Sequence, residues 1–220
     1  MKQLVILSGK GGTGKTSVAA AFAHLAVQGP TPLRVVLADA DVDAANLELV
    51  LAPEVLEEHS FMSGQIAVID EERCIGCGVC AEVCRFDAVS ETDGVCRVDP
   101  ISCEGCAACA TQCPEEAIRM EEQLAGRWFR SRCRYGPLFH AALFPAQENS
   151  GKLVTMVKQQ ARLLALDHGA DLVLVDGPPG IGCPVISAAS GADLVVAVAE
   201  PTLSGIHDLE RLLRTSDHFG

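Results

Sequence analysis

The residues with the clearest chemical meaning come early in the chain, in the run Ser8-Gly9-Lys10-Gly11-Gly12-Thr13-Gly14-Lys15-Thr16-Ser17. Gly9 to Thr16 meet the pattern G-x-x-x-x-G-K-[ST] at every fixed position. Glycines let successive backbone N–H groups turn inward on phosphate oxygens, and the start of a following helix adds partial positive charge. In that arrangement Gly9, Gly11, Gly12, Thr13, Gly14, Lys15, Thr16 and Ser17 surround a triphosphate. Lys15 reaches its β- and γ-phosphates, and the Thr16 hydroxyl ligates Mg²⁺. A merely flexible glycine turn explains neither the lysine nor the threonine.

The second group is made of cysteine. Cys74, Cys77, Cys80 and Cys84 read C-x₂-C-x₂-C-x₃-C, and Cys103, Cys106, Cys109 and Cys113 repeat it, followed by Pro114. The 29-residue step from Cys74 to Cys103 also separates Asp70 from Asp99, Gly76 from Gly105 and Ala88 from Ala117. An internal repeat of this kind is a duplicated half-unit. Its spacing resembles that of the bacterial two-cluster ferredoxins, where the fourth cysteine of each run ligates the other cluster. The resemblance implies one [4Fe–4S] cluster on Cys74, Cys77, Cys80 and Cys113, and another on Cys103, Cys106, Cys109 and Cys84. Zinc is the structural alternative, although zinc sites rarely use such tight triple spacing. The two runs differ where Arg85 stands opposite Pro114. A cation there favours the reduced, more negative cluster, so unequal potentials are expected. Cys96 is expected on a strand as a small core residue, and Cys133 and Cys183, which lack a C-x-x-C partner, as buried thiols.

Composition limits what else the chain does. With 220 residues, 49% of them hydrophobic, it can bury one good-sized core and one small extra unit. A net charge of −12 argues against phosphate-backbone binding as its main business, so no nucleic-acid partner is expected. No apolar run has the length of a membrane span, and Met1-Lys2-Gln3 leads straight into a strand, so a soluble, cytoplasmic protein is expected. In that compartment eleven cysteines point to metal rather than to disulfides.

The elements that must position these groups follow from apolar runs. Leu4 to Leu7 read as a strand before the glycine loop, and Lys15 to about Gln28 as a helix stopped by Gly29-Pro30. Leu33 to Ala38 form a second buried strand ending in Asp39, Asp41 and Asp43, at the carboxyl end where parallel sheets bind ligands. Those alternating carboxylates lack the glycine and distal glutamate of an EF-hand. Gly126 to Ser131 return the chain to the main sheet and begin its one basic cluster, Arg127, Arg130, Arg132 and Arg134. Phosphate, an acidic partner and the acidic cysteine-rich segment all suit that cluster, the last being favoured. An amphipathic helix near Lys152 to His168 is expected after an N-cap at Asn149 or Ser150. Asp171 to Asp176 read as a Walker B strand before Gly177-Pro178-Pro179-Gly180. Leu194 to Ala199 form a last strand, and Ser204 is expected to cap a helix to about His218.

Lys10 extends the reading. Its loop, K-G-G-x-G-K-T, resembles the deviant P-loop of the MinD/ParA, Mrp and nitrogenase-iron-protein group of ATPases. The resemblance implies a homodimer in which Lys10 crosses to the partner's nucleotide, with Lys10, Lys15 and Asp41 catalytic and Asp41 orienting the attacking water. It implies Thr16, Asp39 and Asp176 around Mg²⁺, and a Gly180 N–H that responds to the γ-phosphate. Asp43 receives no role. Cys183 resembles one cluster ligand of the nitrogenase iron protein, but no second cysteine matches. The expected fold is an α/β P-loop NTPase with a mainly parallel sheet flanked by helices, built from residues 1–62 and 126–220. A small α+β ferredoxin unit, 63–125, is inserted in it. The group normally continues with a further strand and a purine-contacting segment, so the ATPase part is expected to be truncated at its C-terminus. The function expected is ATP hydrolysis coupled to electron transfer or redox sensing through two [4Fe–4S] clusters, with a redox or iron–sulfur protein as partner. The alternatives are an iron–sulfur cluster assembly or carrier ATPase, and a MinD/ParA-like positioning or scaffold ATPase.

Overall fold

The protein is described by a computed structural model that covers residues 1–145, 147 and 150–219, without the side chains of 216–219. The chain divides into one unit formed by Met1–Phe61 with Gly126–Gly220 and a second formed by Met62–Ala125. In chain order the elements are β1 (Lys2–Ser8), α1 (Lys15–Gln28), β2 (Val35–Asp39), α2 (Leu47–Leu51), β3 (Glu54–Ile69), α3 (Val79–Val83), β4 (Val89–Thr92) and β5 (Val95–Val98). There follow α4 (Ala108–Gln112), β6 (Ile118–Cys133), β7 (Gly136–Leu143), α5 (Ser150–Asp167), β8 (Leu172–Pro179), α6 (Cys183–Ala189), β9 (Leu194–Ala197) and α7 (Leu203–Phe219).

The larger unit is built on a sheet in the order β3-β6-β7-β2-β8-β1-β9. From β7 to β9 neighbouring strands are parallel, whereas β6 and β7 form an antiparallel hairpin. All five residues of β2 are buried, as are Val5 to Ser8 of β1, the pattern of strands covered on both faces. Ile6, Leu37 and Leu174 from adjacent strands pack with Ala19 and Ala23 of α1 in one core. Register then does the positioning. Asp39 pairs with Asp176 across β2 and β8, which brings two carboxylates to the carboxyl end of the sheet beside the glycine loop that follows β1.

Strand β7 is not legible from alternation. Pro137 and His140 interrupt its apolar residues, yet His140 is buried, hydrogen-bonded to Ser131 across the hairpin and paired with Glu48. The basic cluster does not turn to the cysteine-rich segment. Arg127 pairs with Glu58 and Arg130 with Glu57, both on β3, while Arg134 lies over the Tyr135 ring. The consecutive Glu57 and Glu58 of β3 therefore neutralise two of the arginines that β6 presents beside them. Two caps also differ from expectation. The hydroxyl of Thr202, not that of Ser204, accepts the Gly205 N–H at the start of α7. Of the two caps considered for α5, Asn149 lies outside the described residues, and Ser150 is the first residue of the helix.

In the smaller unit the 29-residue repeat of the sequence becomes an approximate two-fold relation. Left-handed backbone recurs at Gly76 and Gly105, at Gly78 and Ala107, and at Asp87 and Glu116. The Asp70 N–H donates to the Ala117 carbonyl, and the Asp99 N–H donates to the Ala88 carbonyl. Each is the other shifted by one repeat, with the halves exchanged. Cys74 and Cys103 likewise donate their N–H groups to the carbonyls of Asp70 and Asp99. Helices α3 and α4 are the same five-residue piece in the two halves, and the β4–β5 hairpin lies between them in sequence.

Candidate functional site

The glycine loop and the ends of β2 and β8 line an open cleft of about 500 Å³. Gly11, Gly12, Gly14, Lys15, Thr16 and Ser17 line one side; Asp41, Asp43 and Asn46 line another, with Pro178 and Pro179 from β8. Gly12 and Gly14 hold φ of +80° and +92°, conformations in which a side chain is strained. Gly9 is constrained differently: a Cβ there would lie 2.5 Å from the Asp208 carbonyl oxygen of α7. Its place in the motif is thus a packing requirement of this fold as well as a phosphate one. Burial raises the pKa of both Asp41 and Asp176, and the charge of the buried Lys15 opposes that rise.

Asp176 is 1% exposed, and neither of its carboxylate oxygens accepts a hydrogen bond. Burial pushes its pKa up to about 6, opposed by the nearby Thr16 hydroxyl, which closes no bond of normal geometry, and then by Lys15. A buried carboxylate with both oxygens unpaired is costly unless something binds it. The donor set of Asp176 and Thr16 fits Mg²⁺, a hard cation that takes oxygen ligands and keeps several waters. The Thr13 hydroxyl is also buried without a partner.

Asp39 behaves otherwise. Its Oδ1 accepts the Asp41 N–H at 3.1 Å and its Oδ2 accepts the Leu47 N–H at 2.9 Å. Burial, then the neighbouring Asp176 charge, push it up to about 8. Both oxygens are committed to holding the 39–47 loop, so Asp39 shapes the cleft from behind while Asp41 lines it. Gly180 also differs from expectation, since its N–H is already donated to the Ser8 carbonyl at 2.8 Å. Lys10 makes an ion pair with Glu200 at 2.8 Å, a partner on the loop after β9 that sequence spacing does not reveal. Asp43 and Asn46 line the cleft with no motif to announce them. Cys183, expected to be buried, is exposed at the start of α6.

The eight repeat cysteines are divided between two further small cavities, both in the smaller unit. Cys74, Cys77, Cys80 and Cys113 line the first. Cys103, Cys106, Cys109 and Cys84 line the second. In each case three thiols come from one run and the fourth from the other. Gly76 and Gly105 shape the two loops. Both are left-handed, and a Cβ on either would lie under 3.0 Å from a carbonyl oxygen, that of Gly94 or that of Gln65. Gln65 and Gly94 are themselves one repeat apart. Among the described residues no three His, Cys, Asp or Glu side chains converge on a single ion position. Four thiols spread around a cavity suit a group with volume of its own better than one tetrahedral ion.

Among known proteins, the family model described as "CobQ/CobB/MinD/ParA nucleotide binding domain" matches residues 4–220. An uncharacterized protein of Methanocaldococcus jannaschii is 35% identical over 217 residues, covering 99% of this chain and 74% of its own length. The septum site-determining protein MinD of Bacillus subtilis is 26% identical over 212 residues, covering 96% of this chain and 57% of its own length. The solved structure of MinD from Pyrococcus horikoshii, complexed with Mg-ADP, superposes with a TM-score of 0.50 at 18% identity. It covers 98% of this chain, which spans 65% of that one, and the likeness shows the fold. This chain therefore spans somewhat over half the length of the MinD proteins it matches.

Proposed function

The chain belongs to the CobQ/CobB/MinD/ParA nucleotide-binding family of P-loop ATPases, and from that premise we propose an ATP-hydrolysing, dimerising iron–sulfur protein. In this reading nucleotide state alters electron transfer or redox sensing through two [4Fe–4S] clusters. The observation that carries it is the division of eight cysteines, three plus one exchanged, between two cavities related by an approximate dyad.

At the nucleotide site Lys15 holds the β- and γ-phosphates, and the loop N–H groups meet the oxygens as the chain turns at Gly12 and Gly14. Thr16 and Asp176 would hold Mg²⁺, which would supply charge neutralisation at the phosphates. Asp41 stands at the cleft wall to orient water, and Asp39 fixes the backbone that carries it. Lys10 leaves Glu200 and reaches a second copy's nucleotide when two subunits meet. Gly180 must release the Ser8 carbonyl before its N–H can answer a γ-phosphate. The 39–47 loop runs into α2, and only Ala52 and Pro53 separate α2 from β3, the strand that continues into the smaller unit. A change at Asp41 thus has a short covalent path toward the cysteines.

Cys74, Cys77, Cys80 and Cys113 would hold one cluster, and Cys103, Cys106, Cys109 and Cys84 the other. The clusters supply one-electron redox chemistry when bound. Their closed thiol sets favour retention over transfer to an acceptor. Residues 62–125 contain 13 acidic and 4 basic side chains, a net −9 within the chain's −12, so the redox partner is expected to present a basic face.

A MinD/ParA-like positioning ATPase is the second reading, and the relatives whose names state a role favour it. It predicts nucleotide-dependent binding to a membrane or DNA surface. Among the described residues no helix is long and apolar enough to cross a membrane. The experiment that separates the two is anaerobic purification with iron analysis and electron paramagnetic resonance, with and without MgATP. Cosedimentation with anionic vesicles and with DNA runs in parallel. Iron-free protein that sediments in an ATP-dependent way would replace the redox reading with the positioning one. ATP-stimulated loss of iron to an apo-acceptor would make it a carrier.

A further inference from the structure

The first thiol cavity holds a cysteine for which the cluster spacing has no use. Cys96, on β5, lines it together with Cys74, Cys77, Cys80 and Cys113. It is 1% exposed and packs in the core of the smaller unit with Cys80. It stands among the thiols of that cavity, packed in one cluster with Cys80 and Cys74. The approximate dyad makes this informative. One repeat back from Cys96 stands Ala67, which lines the second cavity and brings no polar atom. The two cavities therefore match in their four ligating thiols and differ by one extra S–H.

We propose that Cys96 is a non-ligating thiol that donates its proton to the sulfur shell of the first cluster and raises that cluster's reduction potential. The inference rests on the iron–sulfur reading above. With four thiols of the cavity taken as ligands, Cys96 is the fifth, a thiol left over beside them. Buried at 1% exposure, its S–H stands beside the sulfurs that line the cavity, which can accept from it. Reduction adds one electron from an external donor and one negative charge to the cluster, with no bond made or broken and no proton moved. A donor aimed at that sulfur shell is more favourable after the electron arrives than before it. The second cluster, facing the Ala67 methyl, has no such donor. Arg85 adjoins Cys84 in the sequence but does not line the second cavity.

The test is an anaerobic redox titration of the full chain followed by electron paramagnetic resonance, comparing wild type with Cys96→Ala and Cys96→Ser. Iron content is measured on each. All three are expected to hold eight irons. In Cys96→Ala one of the two midpoints falls relative to the other by about tenfold in electron partition, which is 59 mV for one electron. Cys96→Ser keeps a donor and restores the wild-type separation. Unchanged midpoints in an eight-iron Cys96→Ala overturn the proposal, as does loss of four irons, which would make Cys96 a ligand. Should Cys96→Ala not fold, a Cys96→Ser midpoint separation unlike wild type would overturn it equally. Wild-type protein without iron would instead remove the iron–sulfur reading itself, an outcome distinct from either.

Discussion

Replacing Gly76 with alanine tests whether the cysteine loops are held as the dyad requires. Gly76 has φ of +64°, where an alanine is worse by about 1 kcal/mol. Its new Cβ would also lie under 3.0 Å from the Gly94 carbonyl oxygen. That neighbour is backbone and cannot rotate away, so overpacking adds about 1–3 kcal/mol, for a total of about 2–4 kcal/mol. Gly94 provides the control. It too is left-handed, at φ of +77°, but a Cβ there meets nothing within 4 Å, leaving only the conformational cost of about 1 kcal/mol. Gly105, one repeat on from Gly76, has φ of +65° and a comparable clash with the Gln65 carbonyl, so it should match Gly76. Hydrogen–deuterium exchange over residues 65–123, run anaerobically on the full chain, reads these losses as opening free energies. Protection is expected to fall about thirtyfold to a thousandfold in Gly76→Ala and Gly105→Ala, against about fivefold in Gly94→Ala. Equal effects at Gly76 and Gly94 would refute the packing argument. Unequal effects at Gly76 and Gly105 would refute the dyad.

Other perturbations bear on the larger unit. Asp39, pushed up to about 8, keeps its proton when folded and loses it near the ordinary carboxylate value when unfolded. Native protein thus binds more protons between roughly pH 4 and 8, and nucleotide-free stability falls with rising pH across that window by up to about 1.4 kcal/mol per pH unit. Asp39→Asn should remove that slope above about pH 6, where Asp176, pushed up to about 6, no longer contributes, in denaturant titrations at stepped pH. Lys158, 8% exposed, donates to the carbonyls of Ser187, Ala188 and Ser190 at the end of α6. Lys158→Met leaves those acceptors without their donor and should cost about 2–4 kcal/mol in chemical denaturation. Glu200→Gln takes the charged partner from Lys10 and should raise the ATP-dependent dimer fraction in analytical ultracentrifugation, whereas Lys10→Ala should abolish it.

Much of the nucleotide site is local and therefore legible. A phosphate loop is a run of consecutive residues between a strand and a helix, and its Lys15 and Thr16 line one cleft with Asp41. What sequence hides is where a carboxylate's oxygens go. Asp39 and Asp176 look alike as strand-end acids, but one spends both oxygens on backbone N–H groups and the other spends neither. The Lys10–Glu200 pair joins residues far apart in sequence that meet only because β1 and β9 are neighbours in the sheet. Strand β7 was masked by a buried histidine whose polarity is satisfied by Ser131 and Glu48. The arginines of β6 were misdirected because the glutamates that pair with them belong to β3, a polar strand with no hydrophobic alternation over Glu54 to Ser60. In the cysteine-rich unit the repeat was visible as spacing. The inequality at Cys96 and Ala67 becomes visible only when the two cavities are compared.

The most direct test of the account is the iron content and electron paramagnetic resonance spectrum of anaerobically prepared full chain, recorded before and after MgATP. Eight irons per chain and a cluster signal or midpoint that changes with MgATP, but not in Lys15→Ala, are the predicted result. Zinc in place of iron, or cluster signals indifferent to nucleotide, would contradict it.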